Sequence, residues 1–536
     1  MFMSEEQAYR TQSKTAYFGL LQGFLDSLEN NPDTIALEVS GSVYSYKELS
    51  EMARDWAGLI LSKRDGVKPE NVGVFSGRSL VSYVGVLTAL YLGATYVPIN
   101  IRFPKERSLE MINRANLDAI ILDEKASLLL ADIWSGIETK PIVFLPESKA
   151  IEQRTYPAEG AWSINRTQRL KNAIAVSPDD NAYLLFTSGS TGVPKGVPIQ
   201  HRNVMSFLSF NLARYGLNKK DRVSQTFDLT FDLSVFDLFM TWSSSATLCV
   251  AQPHELLSPV QYVNKNHITV WFSVPSVVIL AQRLGVIEPG SMPTLRWSLF
   301  CGEALPKSVA ELWQAAAPCA TLENLYGPTE LTIACAVYRW VPGHSEQDCH
   351  MDIVPLGEIY PHLSVAILDE HARQVEKGHE GELCVAGPQK FAGYLAAPEL
   401  TRQRMICLED GQQYYRTGDR VRLNGDGSLT YIGRLDHQIK INGYRIELGE
   451  VESALRRLGF EENAAIAFPD FIQPTEIRAF VTVDFDEASI IHSMTKLLPH
   501  YLVPKKIYRI ESMPLNFNGK VDRNTLIAIS NKICTE

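Results

Sequence analysis

The sequence predicts an α/β chain. A large N-terminal body of several subdomains combines helix-covered parallel sheets with a small β-barrel-like part, and a small α+β C-terminal domain follows. Three observations carry this reading. Helical and strand-like patterns alternate over the first part, which implies a largely parallel sheet. Short, turn-rich strands follow between residues 363 and 432. Residues 435–536 then mix strands and helices again. A length of 536 residues leaves room for three to four units at about 150 residues each.

The elements follow in order. Residues 46–61 (YKELSEMARDWAGLIL) place apolar side chains at helical spacing. Residues 72–75 (VGVF) form a short apolar strand candidate. Residues 79–92 read as a second helix, closed by Gly93, and TYVPI at 95–99 as the next strand. Residues 119–122 and 142–145 add two more. LSVAILD, GELCVAG, TGDRVRL and GSLTYIG then suggest antiparallel pairing. Beyond Arg434, strands at 438–441, 464–468 and 478–483 alternate with helices at 447–458 and 488–498. The boundary is set between 434 and 435, giving a body of 1–434 and a cap of 435–536.

Composition excludes several classes. Hydrophobic residues make up 45% and charged residues 21% of the chain, values of an ordinary soluble globular protein. The formal charge of −10 does not suit a general nucleic-acid binder, which needs clustered positive charge. The eight cysteines form no CxxC pair, so neither a disulfide framework nor a zinc site is expected. The N-terminus, MFMSEEQAYRTQSK, lacks the apolar run of a signal peptide. No apolar stretch is long enough to span a bilayer. A reduced, soluble, cytoplasmic enzyme with no membrane partner is the expectation.

The most informative segment is YLLFTSGSTGVPKG, residues 183–196. An apolar run leads into Thr187, Ser188, Gly189, Ser190, Thr191, Gly192 and then Lys195. Small residues let backbone N–H groups approach an anion, hydroxyls add donors, and Lys195 adds charge. The loop is not a Walker A motif, because Lys195 precedes Gly196. It is not a lipase elbow, because no serine holds the G-x-S-x-G spacing.

TSGSTGVPKG resembles the phosphate-loop signature of the adenylate-forming superfamily. That superfamily includes acyl-CoA synthetases, luciferases and nonribosomal-peptide adenylation domains. Further strings stand in the superfamily's order: LYLGATYVPIN, FDLSVFDLF, NLYGPTE, GELCVAG, YRTGD, GRLDHQIKINGYRIE and NGKVDR. The resemblance covers residues 20–525 and is nearest to amino-acid adenylation domains. It implies ATP and Mg2+ as cofactors. It also implies a carboxylate joined to the α-phosphate of ATP, with release of pyrophosphate. Two anions must meet in that reaction, so the chemistry is largely electrostatic.

Carried over residue by residue, Thr187, Ser188, Gly189, Ser190, Thr191, Gly192 and Lys195 would hold the β- and γ-phosphates. Tyr326 would stack on adenine, with Asn324 and the backbone at Gly302, Glu303 and Ala304 along the base's edges and Gly327 beside it. Thr329 would touch the α-phosphate, and Glu330 would help to hold magnesium. Asp419 would accept the ribose hydroxyls, assisted by Arg434. Lys520 would bridge the substrate carboxylate and the α-phosphate. Asp436 matches the hinge of a mobile cap, and the Gly443 loop would line a pantetheine tunnel.

The resemblance also implies the class of acid. In FDLSVFDLF an aspartate pairs with the substrate's α-ammonium group. FDLT precedes FDLS, and only the second frame continues to Val235 and Phe239 at the family's spacing, which selects Asp232. Asp237 is read as structural. The implied pocket wall is Leu233, Phe236, Ser276, Leu299, Cys301, Leu325, Ile333 and Ala334, with Lys520 at its end. None of the eight wall residues is charged. The pattern resembles free-standing prolyl adenylating enzymes, so L-proline is the expected substrate, with valine and alanine as alternatives. An acid–CoA ligase is the other reading, and Asp232 argues against it. The chain ends 13 residues after Arg523 with no carrier segment, so a separate phosphopantetheine carrier protein is expected to accept the product.

Overall fold

The structure is a computed structural model that describes residues 16–147, 156–157, 169–189, 192–516 and 521–535. Ser190, Thr191 and Lys520 lie outside the described residues.

The body is built on two large sheets. Strands Asn71–Ser76, Thr95–Asn100, Ala119–Leu122 and Ile142–Phe144 pair in parallel. Asn181–Thr187 extends this sheet and turns back antiparallel into Lys195–Gln200. The glycine-rich loop is therefore the turn of an edge hairpin. Helix Tyr46–Lys63 starts at a capping box in which Ser45 and Glu48 satisfy each other's backbone donors. Helix Leu80–Tyr91 is buried from Val81 to Tyr91. An all-round apolar helix belongs in a core, and this one joins the cluster shared by both sheets.

The second sheet has nine strands, parallel in the centre and antiparallel at both ends. Its strands Val270–Ser273, Trp297–Phe300 and Thr321–Tyr326 are parallel neighbours. Their carboxyl ends deliver Ser276, Cys301 to Glu303, and Tyr326 to one crevice, where open α/β sheets bind ligands. The turn-rich part forms a five-stranded antiparallel sheet. In it Asp419 stands opposite Arg434.

Residues beyond 435 form a hairpin, Gln438–Ile441 with Tyr444–Glu447, and a three-stranded sheet with helices. Ile439, Ile446, Val451, Leu455, Ile477 and Met494 belong to a cluster with no buried member from the body. Among the described residues no helix is long and apolar enough to cross a membrane.

Candidate active site

The crevice holds two cavities, of about 590 and 80 Å³. Ser276, Gly302, Glu303, Ala304, Asn324, Leu325, Tyr326, Asp419 and Arg434 all face the larger one. Tyr326 donates its hydroxyl to Asp419 at 2.5 Å. Burial and that carboxylate push the phenol's pKa up. Arg434 donates to the other Asp419 oxygen at 2.7 Å and forks onto Asp436 at 2.6 and 2.9 Å. Despite burial, Arg434 and Arg404 hold the Asp436 carboxyl well below the usual range. Gly418 makes this cluster possible. Its φ is +74°, and a Cβ there would lie 2.8 Å from the Arg434 guanidinium.

Two expected contacts look different in place. The Asn324 amide donates to the Pro355 carbonyl at 2.9 Å, which leaves its oxygen for a ligand. The Glu303 side chain, expected to contribute only backbone, accepts from the N–H groups of Ser276 and Gly443 at 3.0 and 2.8 Å.

The smaller cavity is lined by Thr187, Ser188, Asp232, Leu233, Cys301, Gly327 and Thr329, among others. Asp232 precedes helix Leu233–Trp242 and is 8% exposed. One of its oxygens has no hydrogen-bond partner. Burial raises its pKa to about 6, against the Thr329 hydroxyl, Lys440 and the Ile333 backbone, which favour the charge. Thr329, expected on the α-phosphate, thus stands beside this carboxylate. Phe236, Leu299, Ile333 and Ala334 do not reach the cavity surface. They are fully buried, and Phe236 packs edge-on against Phe207, Tyr215 and Phe272. Of the expected wall, Leu233 and Cys301 line this cavity, and Ser276 and Leu325 line the larger one.

The glycine-rich loop meets the C-terminal hairpin. Ser188 donates its hydroxyl to the Arg445 carbonyl at 2.6 Å. Lys195 pairs with Glu447 at 2.9 Å. Burial and Arg445 pull the lysine's pKa down, against Glu447. The Thr187 hydroxyl is buried without a partner, as suits a residue reserved for a ligand. Gly192 keeps a φ of +83°. Glu330 accepts from Tyr394 at 2.7 Å and from Arg445 at 2.6 Å. Burial opposes its charge, but these partners outweigh burial and bring its carboxyl down to about 2. Gly443 lies against Val274, close to Gly302.

Lys440, Arg445 and Glu447 were within reach of the sequence, since they lie in GRLDHQIKINGYRIE. Lys440 borders both cavities, with its ammonium 5.8 Å from the centre of the Tyr326 ring. Arg107 and Glu450, which pair across the body and the C-terminal part at 2.5 Å, carry no such signal.

The model of the family described as AMP-binding enzyme matches residues 24–395. The chain belongs to the AMP-binding enzyme family. The D-alanine–D-alanyl carrier protein ligase of Lacticaseibacillus rhamnosus is 31% identical over 512 residues, covering 93% of this chain and 96% of the relative. A dimodular nonribosomal peptide synthase of Bacillus subtilis (strain 168) is 34% identical over 93% of this chain, which spans only 21% of that synthase's length. The crystal structure of the Vibrio cholerae adenylation domain AlmE in complex with glycyl-adenosine-5'-phosphate superposes with a TM-score of 0.85 at 30% identity. It covers 97% of this chain and 99% of AlmE. The fold is thus that of an amino-acid adenylation domain.

Proposed function

We propose that this chain activates a small uncharged amino acid as its adenylate and then passes it to the pantetheine thiol of a carrier protein. The observation that carries the amino-acid reading is Asp232, a buried carboxylate with an unsatisfied oxygen beside a cavity of about 80 Å³. A buried charge needs a partner, and an α-ammonium supplies one. The carrier protein named in the ligase relative supports the acceptor. The glycyl adenylate held by AlmE supports a small acid. L-Proline is the leading candidate, with alanine and valine next.

In the first step a carboxylate oxygen of the amino acid attacks the α-phosphorus of ATP. A P–O bond forms, and the bond to the departing pyrophosphate breaks. The hydroxyls of Thr187 and Ser188 and the Lys195 ammonium would face the leaving phosphates once Ser188 and Lys195 part from Arg445 and Glu447. Tyr326, Asn324, Asp419 and Arg434 hold the nucleoside. Lys520 bridges the reacting oxygens by resemblance alone. Glu330 is an ionised oxygen donor that would hold Mg2+ once Arg445 leaves its carboxylate, and magnesium typically takes one or two carboxylates plus phosphates and water. Among the described residues no cluster of three or more His, Cys, Asp or Glu side chains could hold a metal by itself. Bound there, the ion would neutralise phosphate charge.

In the second step the thiol sulfur attacks the carbonyl carbon, and AMP leaves. The chain divides at 434/435 for this step, with Asp436 as the hinge. The larger cavity supports that reading, because Ser276 and Gly302 of the body and Lys440 and Asn442 of the cap line it together. The nucleoside groups Asn324, Tyr326, Asp419 and Arg434 line the same cavity, so a pantetheine arm would share it with the bound AMP.

Amino-acid-dependent pyrophosphate exchange tests the proposal. Small uncharged amino acids should drive exchange, with proline foremost, and Asp232→Ala should lower it at least hundredfold. An Asp232→Ala variant that still activates its best acid at the original rate would favour an acid–CoA ligase and overturn the amino-acid reading.

A further inference from the structure

The contacts between cap and body follow one charge pattern. On the body side, Arg107 projects from helix Lys105–Ala115 and is 7% exposed. It pairs with Glu450 of the cap at 2.5 Å, and its Nε has no hydrogen-bond partner. Glu450 is 1% exposed, and one of its oxygens also lacks a partner. Burial pushes the Glu450 pKa up, while the Arg107 guanidinium and the Gly189 N–H of the glycine-rich loop oppose this and favour its charged form. Arg107 and the loop therefore address the same carboxylate. Lys195, at the far end of the loop, takes the second cap carboxylate, Glu447. The body's acidic group in this region, Glu330, takes the cap's Arg445. Glu447 and Glu450 sit at the start of helix Leu448–Arg457, and Ser453 of that helix comes close to Gly192.

Two anionic groups on Arg107 and Lys195, with a cation on Glu330, match the charge pattern of a magnesium diphosphate. We infer that Arg107 is a binding residue for the terminal diphosphate, and that Glu447 and Glu450 occupy its anion site when the cap is seated. This rests on the adenylating function proposed above and adds a binding residue to it. The same cations cannot serve both anions at once. A buried guanidinium without an anion is strongly unfavourable. Diphosphate entry therefore frees the cap, and diphosphate departure lets the cap return with its carboxylates as replacements.

The test is binding rather than turnover, so it does not depend on which amino acid is activated. Pyrophosphate is titrated calorimetrically into the whole chain in Mg2+ buffer without ATP or amino acid. A Glu447→Gln/Glu450→Gln double variant should bind pyrophosphate at least tenfold tighter, because its seated cap no longer competes as an anion. Arg107→Ala should bind it at least tenfold more weakly, and Arg107→Lys should recover part of the loss. Affinities within twofold of the unaltered chain for either the carboxylate pair or Arg107→Ala would overturn the inference. Amide hydrogen exchange on the unaltered chain gives an arm that needs no variant. Pyrophosphate should speed exchange in residues 438–457, while AMP, which lacks the terminal phosphates, should not. Equal effects of the two ligands, or no effect of pyrophosphate, would refute the competition. Loss of amino-acid-dependent exchange activity with these binding results intact would instead count against the proposed function.

Discussion

A carboxylate held out of water resists ionisation, and its cost falls on the fold until a cation arrives. Asp232 is in that position, with burial raising its pKa to about 6. The linkage runs in a definite direction. Between the ordinary aspartate value and about pH 6 the folded chain binds more protons than the unfolded one, so stability falls as pH rises through that window. Asp232→Asn removes this loss. The variant should be more stable than the unaltered chain at pH 7, by about 1–3 kcal/mol for a shift of this size, and should lack amino-acid-dependent exchange. Thermal melting at pH 4 and pH 7 checks it, since the difference should shrink at the lower pH. The free form of Asp232 also sets the substrate's pH dependence. The KM for the amino acid should rise as pH falls below about 6, because a neutral carboxyl offers the ammonium no charge. A KM that stays flat from pH 5 to pH 8 would contradict the clamp.

At the scale of elements, what was legible followed the hydrophobic pattern. The parallel strands announced themselves as short apolar runs, and the helix Leu80–Tyr91 as an apolar stretch closed by a glycine. The glycine-rich loop was legible as a family signature but not as a hairpin turn, because the return strand Lys195–Gln200 is short and carries a proline. The pocket wall was less legible. Phe236 shares a helix with Leu233, but it is seated among aromatic rings instead of at the cavity, a choice made by tertiary packing. The hairpin 438–447 carries its own prediction. Gly443 has a φ of +78°, and a Cβ there would lie 2.6 Å from Val274. Gly443→Leu should lift the hairpin away from Gly302 and Glu303. Pyrophosphate exchange should stay within about twofold, while transfer to the carrier's thiol falls at least tenfold. Equal loss of both steps would show instead that the hairpin supports the whole site.

At the scale of the molecule, the cap keeps its buried apolar residues in its own clusters and meets the body largely through polar groups, Arg107 with Glu450, Lys195 with Glu447, Arg445 with Glu330, and Gly443 with Glu303, beside the ring contact of Phe231 with Tyr444. Contacts of this polarity resemble those between domains that move, since separation exposes charge that water can solvate. The same chemistry hid the arrangement from the sequence. ELGEVESALRRL reads as a helix, and nothing in it or in KERSLEMINRA says that Arg107 and Glu450 will be buried together. The junction itself is a charged cluster in which Arg434 and Arg404 share Asp436. If Asp436 is the hinge, fixing its φ with proline should favour one arrangement of the cap over the other. Asp436→Pro should then keep one step, amino-acid-dependent exchange or thiol transfer, within about threefold and slow the other at least tenfold, with cooperative melting retained. Both steps unchanged in a folded Asp436→Pro variant would move the hinge away from this residue.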